Sequence, residues 1–177
     1  GASSVAYGLT CMELEAGDAG VRSAVSVQGS LAMFPIWRFG SEEQKRRWLP
    51  PLARVEKLGA FALTEPEHGS DSVALETTAR REGDEYVIDG AKRWIGNGSV
   101  ADVVVVWARD TEDGQVKGFL VEPPTAGYEA SVIEGKVSVR AIWNAHIFLD
   151  GVRVPVESRL PGGQSFKDTG RVLAATR

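Results

Sequence analysis

The sequence predicts an α+β chain: a helical segment over residues 1–57, an antiparallel β-barrel domain over 58–160, and the start of a further helical domain over 161–177. Three observations predict it. Up to residue 57, apolar residues recur every three or four positions, the spacing of one helix face. Beyond it come short runs rich in β-branched and aromatic residues, divided by Gly-, Asn- and Asp-containing turns. A Gly-rich link, "LPGGQS", then precedes "FKDTGRVLAATR", again a helical pattern.

The first helix is predicted over 4–15, where Val5, Leu9 and Met12 share a side. Gly17-Asp18-Ala19-Gly20 breaks it. A second helix follows at about 20–38, with Val21, Ala24, Val25, Leu31 and Ala32 apolar and Gly40 as its stop. Ser41 with Gln44 three residues on is a capping-box pattern that opens a third helix, "SEEQKRRWL". Pro50-Pro51 is expected to stop or kink it, since proline has no backbone N–H to donate. The strand runs are "AFAL", "EYVID", "DVVVVWAR", "KGFLVE", "YEASVIE" and "AHIFL". Few helical segments interrupt them, which argues against a parallel doubly wound sheet and for a barrel or sandwich.

Composition excludes several functions. The net charge of -4 leaves no basic footprint for nucleic acid. One cysteine, Cys11, allows no internal disulfide, which suits a reducing compartment. The expected location is cytoplasmic, or the mitochondrial matrix in a eukaryote. No apolar run reaches the ~18 residues of a membrane span, and no signal-peptide pattern is visible. Two histidines and one cysteine make no zinc pattern. Cys11 is expected in the core and "EEQKRR" on a solvated face. The chain opens at Gly1 in mid-helix sequence and closes at Arg177 inside a helical pattern, as a part of a longer polypeptide would.

Three stretches carry candidate chemistry. In "FALTEPEHGSD", residues 61–71, an apolar run ends in a polar turn. It is either a solvated link or a holder for something flat and polar: Thr64 and Ser70 offer hydroxyls, and Gly69 admits close backbone approach. In "KRWIGNGS", residues 92–99, Trp94 is either core or a platform that stacks on a planar ring. In "GVRSAVS", Arg22 and Ser26 stand four apart on one helix face. Arg22 is either solvated or a fork for a carboxylate, which guanidinium fits in two bonds.

Taken together, "FALTEPEHGSD", "DEYVIDGAKRWIGNG" and "ADVVVVWAR" resemble the acyl-CoA dehydrogenase family of flavoenzymes. "GVRSAVSVQGSL", "FGSEEQKRRWLPPLA", "GKVSVRA" and "DGVRVP" resemble its glutaryl-CoA dehydrogenase branch most closely. The resemblance covers the whole chain. It implies a helical N-terminal domain, a β-barrel middle domain and a C-terminal helical bundle that would begin near Gln164. It also implies FAD bound against the middle domain. Phe61, Leu63 and Thr64 would lie along the isoalloxazine. Gly69 and Ser70 would reach toward the pyrophosphate and the CoA thioester arm, and Trp94 would flank the ring. Gly96 stands where many members carry a threonine whose hydroxyl approaches flavin N5, and its backbone N–H would take over that contact.

For the substrate, the resemblance implies that Arg22 binds the distal carboxylate of the acyl chain, with Ser23 and Ser26 adding hydroxyls and Ser70 reaching the thioester arm. The implied reaction is removal of the α-proton by a glutamate, transfer of the β-hydride to the flavin, and loss of CO2 to give crotonyl-CoA. Electrons would pass to an electron-transferring flavoprotein, and the enzyme would be a homotetramer. The branch carries its base in the C-terminal bundle. No catalytic acid or base is therefore assigned among these residues, Glu65 and Glu67 included, and the isolated chain is expected to be inactive. The alternatives are a short-chain dehydrogenase that does not decarboxylate, and a non-catalytic flavin- or CoA-binding fragment.

Overall fold

The computed structural model describes residues 3–175. Helix α1, Ser4–Gly17, starts where the Ser3 hydroxyl accepts the Ala6 N–H at 3.2 Å. The predicted break falls on Asp18, whose carboxylate accepts the N–H groups of Gly20 (2.6 Å) and Val21 (3.1 Å) and so caps α2, Ala19–Ser26. Helix α1 buries none of its residues. Val5, Leu9 and Met12 stay exposed, and Cys11 is half-buried rather than in the core, because no other element of the described chain covers that side of α1.

The expected second helix is not uniform. It runs as α2, then as a π-helical segment Val27–Met33, then as α3, Phe34–Phe39. Two causes act together. Pro35 removes one helical hydrogen bond, and a π turn holds an extra residue. Gln28 is buried and tied outward: its amide N–H donates to Leu52 O (2.9 Å) and Lys57 O (2.8 Å), and its Oε1 accepts the Gly59 N–H (2.8 Å). The strand beside it approaches so closely that a Cβ on Gly59 would stand 2.4 Å from the Ala32 Cβ.

Helix α4, Glu42–Ala53, has the predicted capping box, with Ser41 Oγ accepting the Gln44 N–H (3.1 Å) and Gln44 Oε1 accepting the Ser41 N–H (2.9 Å). Pro50 and Pro51 lie inside it instead of stopping it. They occupy its last turn, and the bonds they forgo belong to the carbonyls of the exposed Arg46 and Arg47. Their own carbonyls accept from Arg54 and Glu56.

Seven strands form one curled sheet: β1 Gly59–Ala62, β2 Thr78–Glu82, β3 Glu85–Gly96, β4 Val103–Asp110, β5 Val116–Val121, β6 Tyr128–Val132 and β7 Asn144–Pro155. The order is β1-β4-β2-β3-β7-β6, with β5 on the other edge of β4. Most pairs are antiparallel as expected, but β1 and β2 both run parallel to β4. The sheet is therefore mixed. One edge of β4 receives β1 first, from Gly59↔Val103 to Ala62↔Val106, and then β2 at Thr78↔Arg109.

Strand β4 feeds two cores, which explains its unbroken apolar run. Val104, Val106 and Ala108 join Ile88, Phe119 and Ile147 inside the curl. Val103, Val105 and Trp107 join Ile36, Trp48 and Leu52 between sheet and helices. Helix α5, Phe166–Ala175, adds Val172 to the second core. The last two residues of its predicted pattern lie outside the described residues.

Candidate functional site

Between Ala62 and Thr78 the chain leaves the edge of β4, so residues 63–77 arch over a gap in the sheet. Backbone carbonyls at a buried gap need partners. Lys92, reaching in from β3, supplies them. Its ammonium is fully buried and donates to Leu63 O (3.3 Å), Trp107 O (2.7 Å) and Glu65 Oε1 (2.8 Å), one acceptor for each of its three protons. The Glu65 carboxylate also accepts the N–H groups of Glu76 (2.6 Å) and Thr77 (3.0 Å) and the Thr77 hydroxyl.

Burial pulls the Lys92 ammonium down to about 8 against the opposing pull of Glu65. Burial alone would raise the Glu65 carboxyl, but Lys92 and the bonds from Glu76 and Thr77 hold it below the usual carboxylate range. Glu65 is thus committed to structure, and Glu67 is exposed on the turn. The sequence reading did not single out Lys92. Its signal is parity: it sits on the inward side of β3, four residues from the buried Ile88.

The two motif stretches meet directly, since the Arg93 N–H donates to Thr64 O at 2.8 Å. Opposite β7 the register slips between Lys92 and Ile95, and Trp94 occupies this bulge with φ 64°. Left-handed backbone at a bulky residue marks local strain held by its surroundings. Asn144 Nδ2 donates to Trp94 O (3.0 Å), and Lys136 Nζ donates to Asn144 Oδ1 (2.6 Å), Val139 O and Ile142 O. Trp94 is 50% exposed, not a core residue, and lines an open cleft of about 410 Å³ with Gly135, Lys136, Val137 and Asn144.

The other singled-out positions divide by side-chain placement. Phe61 and Leu63 point into the core between sheet and helices, Phe61 against Trp107 at 6.0 Å. Thr64 is half-exposed. Gly69 and Ser70 are exposed on the turn, and a Cβ on Gly69 would meet open space. Arg93 Nε in the bulge and Ser99 Oγ in the turn after β3 are buried without a hydrogen-bond partner. An indole that is 50% exposed, with the Arg93 guanidinium 5.5 Å from its ring centroid, and an open polar turn suit a planar ligand with polar edges.

Gly96 is buried, and a Cβ there would stand 2.7 Å from Ile142 Cδ1 and 3.2 Å from Val27 Cγ2. A larger residue overpacks the contact, so Gly96→Thr is expected to destabilise by about 1–3 kcal/mol. The urea unfolding midpoint checks this. An unchanged midpoint means that Ile142 and Val27 yield freely.

Arg22 projects from α2 into an open cleft of about 450 Å³ lined also by Cys11, Met12, Glu15 and Ala16. Its Nε donates to Glu15 Oε2, and that bond raises the guanidinium above its already high value. Ser26 Oγ accepts from the Tyr7 hydroxyl (3.1 Å), which accepts from Ser30 (3.0 Å), while Ser23 is half-buried. Sequence reasoning missed Glu15 and Tyr7, because the helix break at Asp18 hides their phase relative to α2. Gly20 of α2 abuts Ala141 in the loop before β7, and Val27, the first residue of the π segment, abuts Gly96 on β3.

The N-terminal domain profile of acyl-CoA dehydrogenases matches residues 1–56, and the middle domain profile matches 60–152. The mitochondrial short-chain specific acyl-CoA dehydrogenase of Rattus norvegicus is 38% identical over 187 aligned residues, covering 100% of this chain and 45% of that protein. A crystal structure of glutaryl-CoA dehydrogenase from Mycobacterium smegmatis superposes with a TM-score of 0.96 at 52% identity, over 99% of this chain and 45% of that one. A second structure of a glutaryl-CoA dehydrogenase from that organism, in complex with FADH2, gives 0.96 at 48% identity, with the same coverage. The chain spans less than half the length of these relatives. With both profiles in sequence order and the fold shared throughout, the chain belongs to the acyl-CoA dehydrogenase family.

Proposed function

We propose that the whole protein is an FAD-dependent acyl-CoA dehydrogenase that oxidises glutaryl-CoA at the Cα–Cβ bond and releases its distal carboxylate as CO2, leaving crotonyl-CoA. The observation that carries the substrate choice is Arg22. It stands in an open cleft, and its bond to Glu15 is made through Nε, which leaves the terminal N–H groups of the fork to meet a carboxylate. Ser23 and Ser26 lie on or beside the same face. The FADH2 complex of the Mycobacterium smegmatis relative supports FAD as the cofactor.

Bound FAD supplies the two-electron acceptor. The residues of this chain hold and orient it. Trp94 offers a ring face, Thr64, Gly69, Ser70 and Gly96 offer backbone and hydroxyl groups, and Phe61 and Leu63 support the turn from the core side. Ser70 also reaches the thioester arm. None of these residues is a catalytic acid or base. Electrons leave to an electron-transferring flavoprotein, and the enzyme assembles as a homotetramer in the cytoplasm or the mitochondrial matrix. Among the described residues no helix is long and apolar enough to cross a membrane.

A second reading is favoured by the Arg22–Glu15 pair itself: an arginine already neutralised needs no substrate carboxylate, and the enzyme would then be a short-chain dehydrogenase without decarboxylation. Incubating the whole protein with glutaryl-CoA or butyryl-CoA and trapping CO2 separates the two. The proposal expects CO2 in step with glutaryl-CoA consumed, and oxidation without CO2 removes it.

Trp94→Ala is expected to weaken FAD by about 2–10-fold, the worth of an aromatic contact beyond its area. Flavin titration of the apoprotein measures this, and an unchanged Kd removes Trp94 from the cofactor site.

A further inference from the structure

We propose that Glu65 and Lys92 are positioning residues of the cofactor site: they lock the Thr64 turn to the Trp94 bulge across the gap between β1 and β2, and touch no ligand themselves. The inference rests on the flavin reading above and adds to it a role for two groups that reading leaves unused.

The geometry carries it. Every bond that Lys92 makes ends on one wall of the gap: Leu63 O where β1 departs, Trp107 O on β4, and Glu65 at the root of the turn. Every further bond that Glu65 accepts comes from the returning arm, at Glu76 and Thr77. The pair therefore joins three segments that the missing ladder would otherwise leave apart. Its neighbours in sequence are the ligand-facing positions. Glu65 follows Thr64, and Lys92 precedes Arg93, whose N–H holds Thr64 O, with Trp94 next along. A small rotation at Lys92 is passed to both stretches at once.

A buried ion pair is weak evidence for stability, because neutral groups of similar volume often serve the core equally well. Such groups lack the three-way fork of an ammonium. Neither charge faces solvent: Lys92 is fully buried and Glu65 is 5% exposed. The pair is thus placed to orient backbone rather than to react.

The test uses the whole protein, with FAD Kd from titration of the apoprotein and the apoprotein Tm measured side by side. The variants are Glu65→Gln, Lys92→Met and the two combined. The combined variant removes both charges, so its Tm is expected to recover the part of the single-variant losses that comes from an unpaired buried charge, while the part due to the unpaired carbonyls of Leu63 and Trp107 stays lost. Its FAD Kd is expected to stay weaker by at least about tenfold, because the carbonyl walls of the gap have lost their donors. A Kd that recovers along with Tm overturns the proposal and leaves the pair as plain core. Should the combined variant fail to fold, Thr77→Val decides: it deletes one bond to Glu65, and is expected to weaken FAD by about 2–10-fold. Its Tm is expected to stay within roughly 2 °C of wild type. An unchanged Kd there overturns the proposal equally. If the wild-type apoprotein takes up no FAD, the functional reading fails first and this inference falls with it. If wild type binds FAD and only the variants behave as wild type, the functional reading stands and this inference alone fails.

Discussion

Replacing Arg22 with methionine in the whole protein is expected to lower kcat/KM for glutaryl-CoA by about 10–150-fold, the worth of a hydrogen bond to a charged group. Butyryl-CoA has no distal carboxylate, and its kcat/KM is expected to stay nearly unchanged or to rise. Methionine keeps an unbranched apolar stem and drops the charged fork, so the change removes carboxylate recognition. Glu15 loses its partner in this variant, but its side chain is 48% exposed and water takes over. The free-energy cost to folding is therefore small. The ratio of the two substrates is the quantity to measure, because it cancels any general loss of folded enzyme. An unchanged ratio returns Arg22 to its bond with Glu15 and leaves the non-decarboxylating dehydrogenase as the better reading.

How much of this was legible depends on whether the cause was local. The Ser41–Gln44 capping box was readable because all of its partners lie within four residues. The change of period near residue 57 was readable because β4 and β7 repeat their own patterns. The π segment was not, because it is held by bonds from Gln28 to Leu52, Lys57 and Gly59, far off in sequence. The parallel pairings of β1 and β2 with β4 were hidden for the same reason: strand direction is a property of the return path, not of the strand. Pro50-Pro51 was read as a stop or kink, yet both fit within the last turn. Trp94 was singled out from its motif, but its left-handed backbone depends on Asn144 and Lys136, half a domain away. The motif stretches were legible as words. The lysine that holds them together was not, since a lysine in a strand reads as solvent-facing until its parity is counted.

Lys92→Met and Glu65→Gln are each expected to destabilise the protein by about 3–5 kcal/mol at pH 7, the cost of leaving one buried charge without its partner. Their pH dependences are expected to run in opposite directions. With Lys92 gone, burial acts on Glu65 unopposed by the ammonium, so its folded-state pKa rises above the wild-type one. The deficit against wild type then grows as pH climbs through the window between those two values, and it is smaller at pH 5 than at pH 7. With Glu65 made neutral, Lys92 loses the group that pulls its pKa up, and the folded-state value falls below about 8. That deficit is fully present below the new value and shrinks as pH climbs toward 8. In wild type, Lys92 is already depressed relative to the unfolded chain, so its own contribution makes stability rise between about 8 and 10.5. Urea unfolding of each variant at pH 5, 7 and 9 reads both slopes. Deficits under about 1 kcal/mol, or slopes of the same sign, mean that the charges at the gap between β1 and β2 are not coupled and that the turn is held by Thr64 O, Arg93 and the Thr77 arm alone.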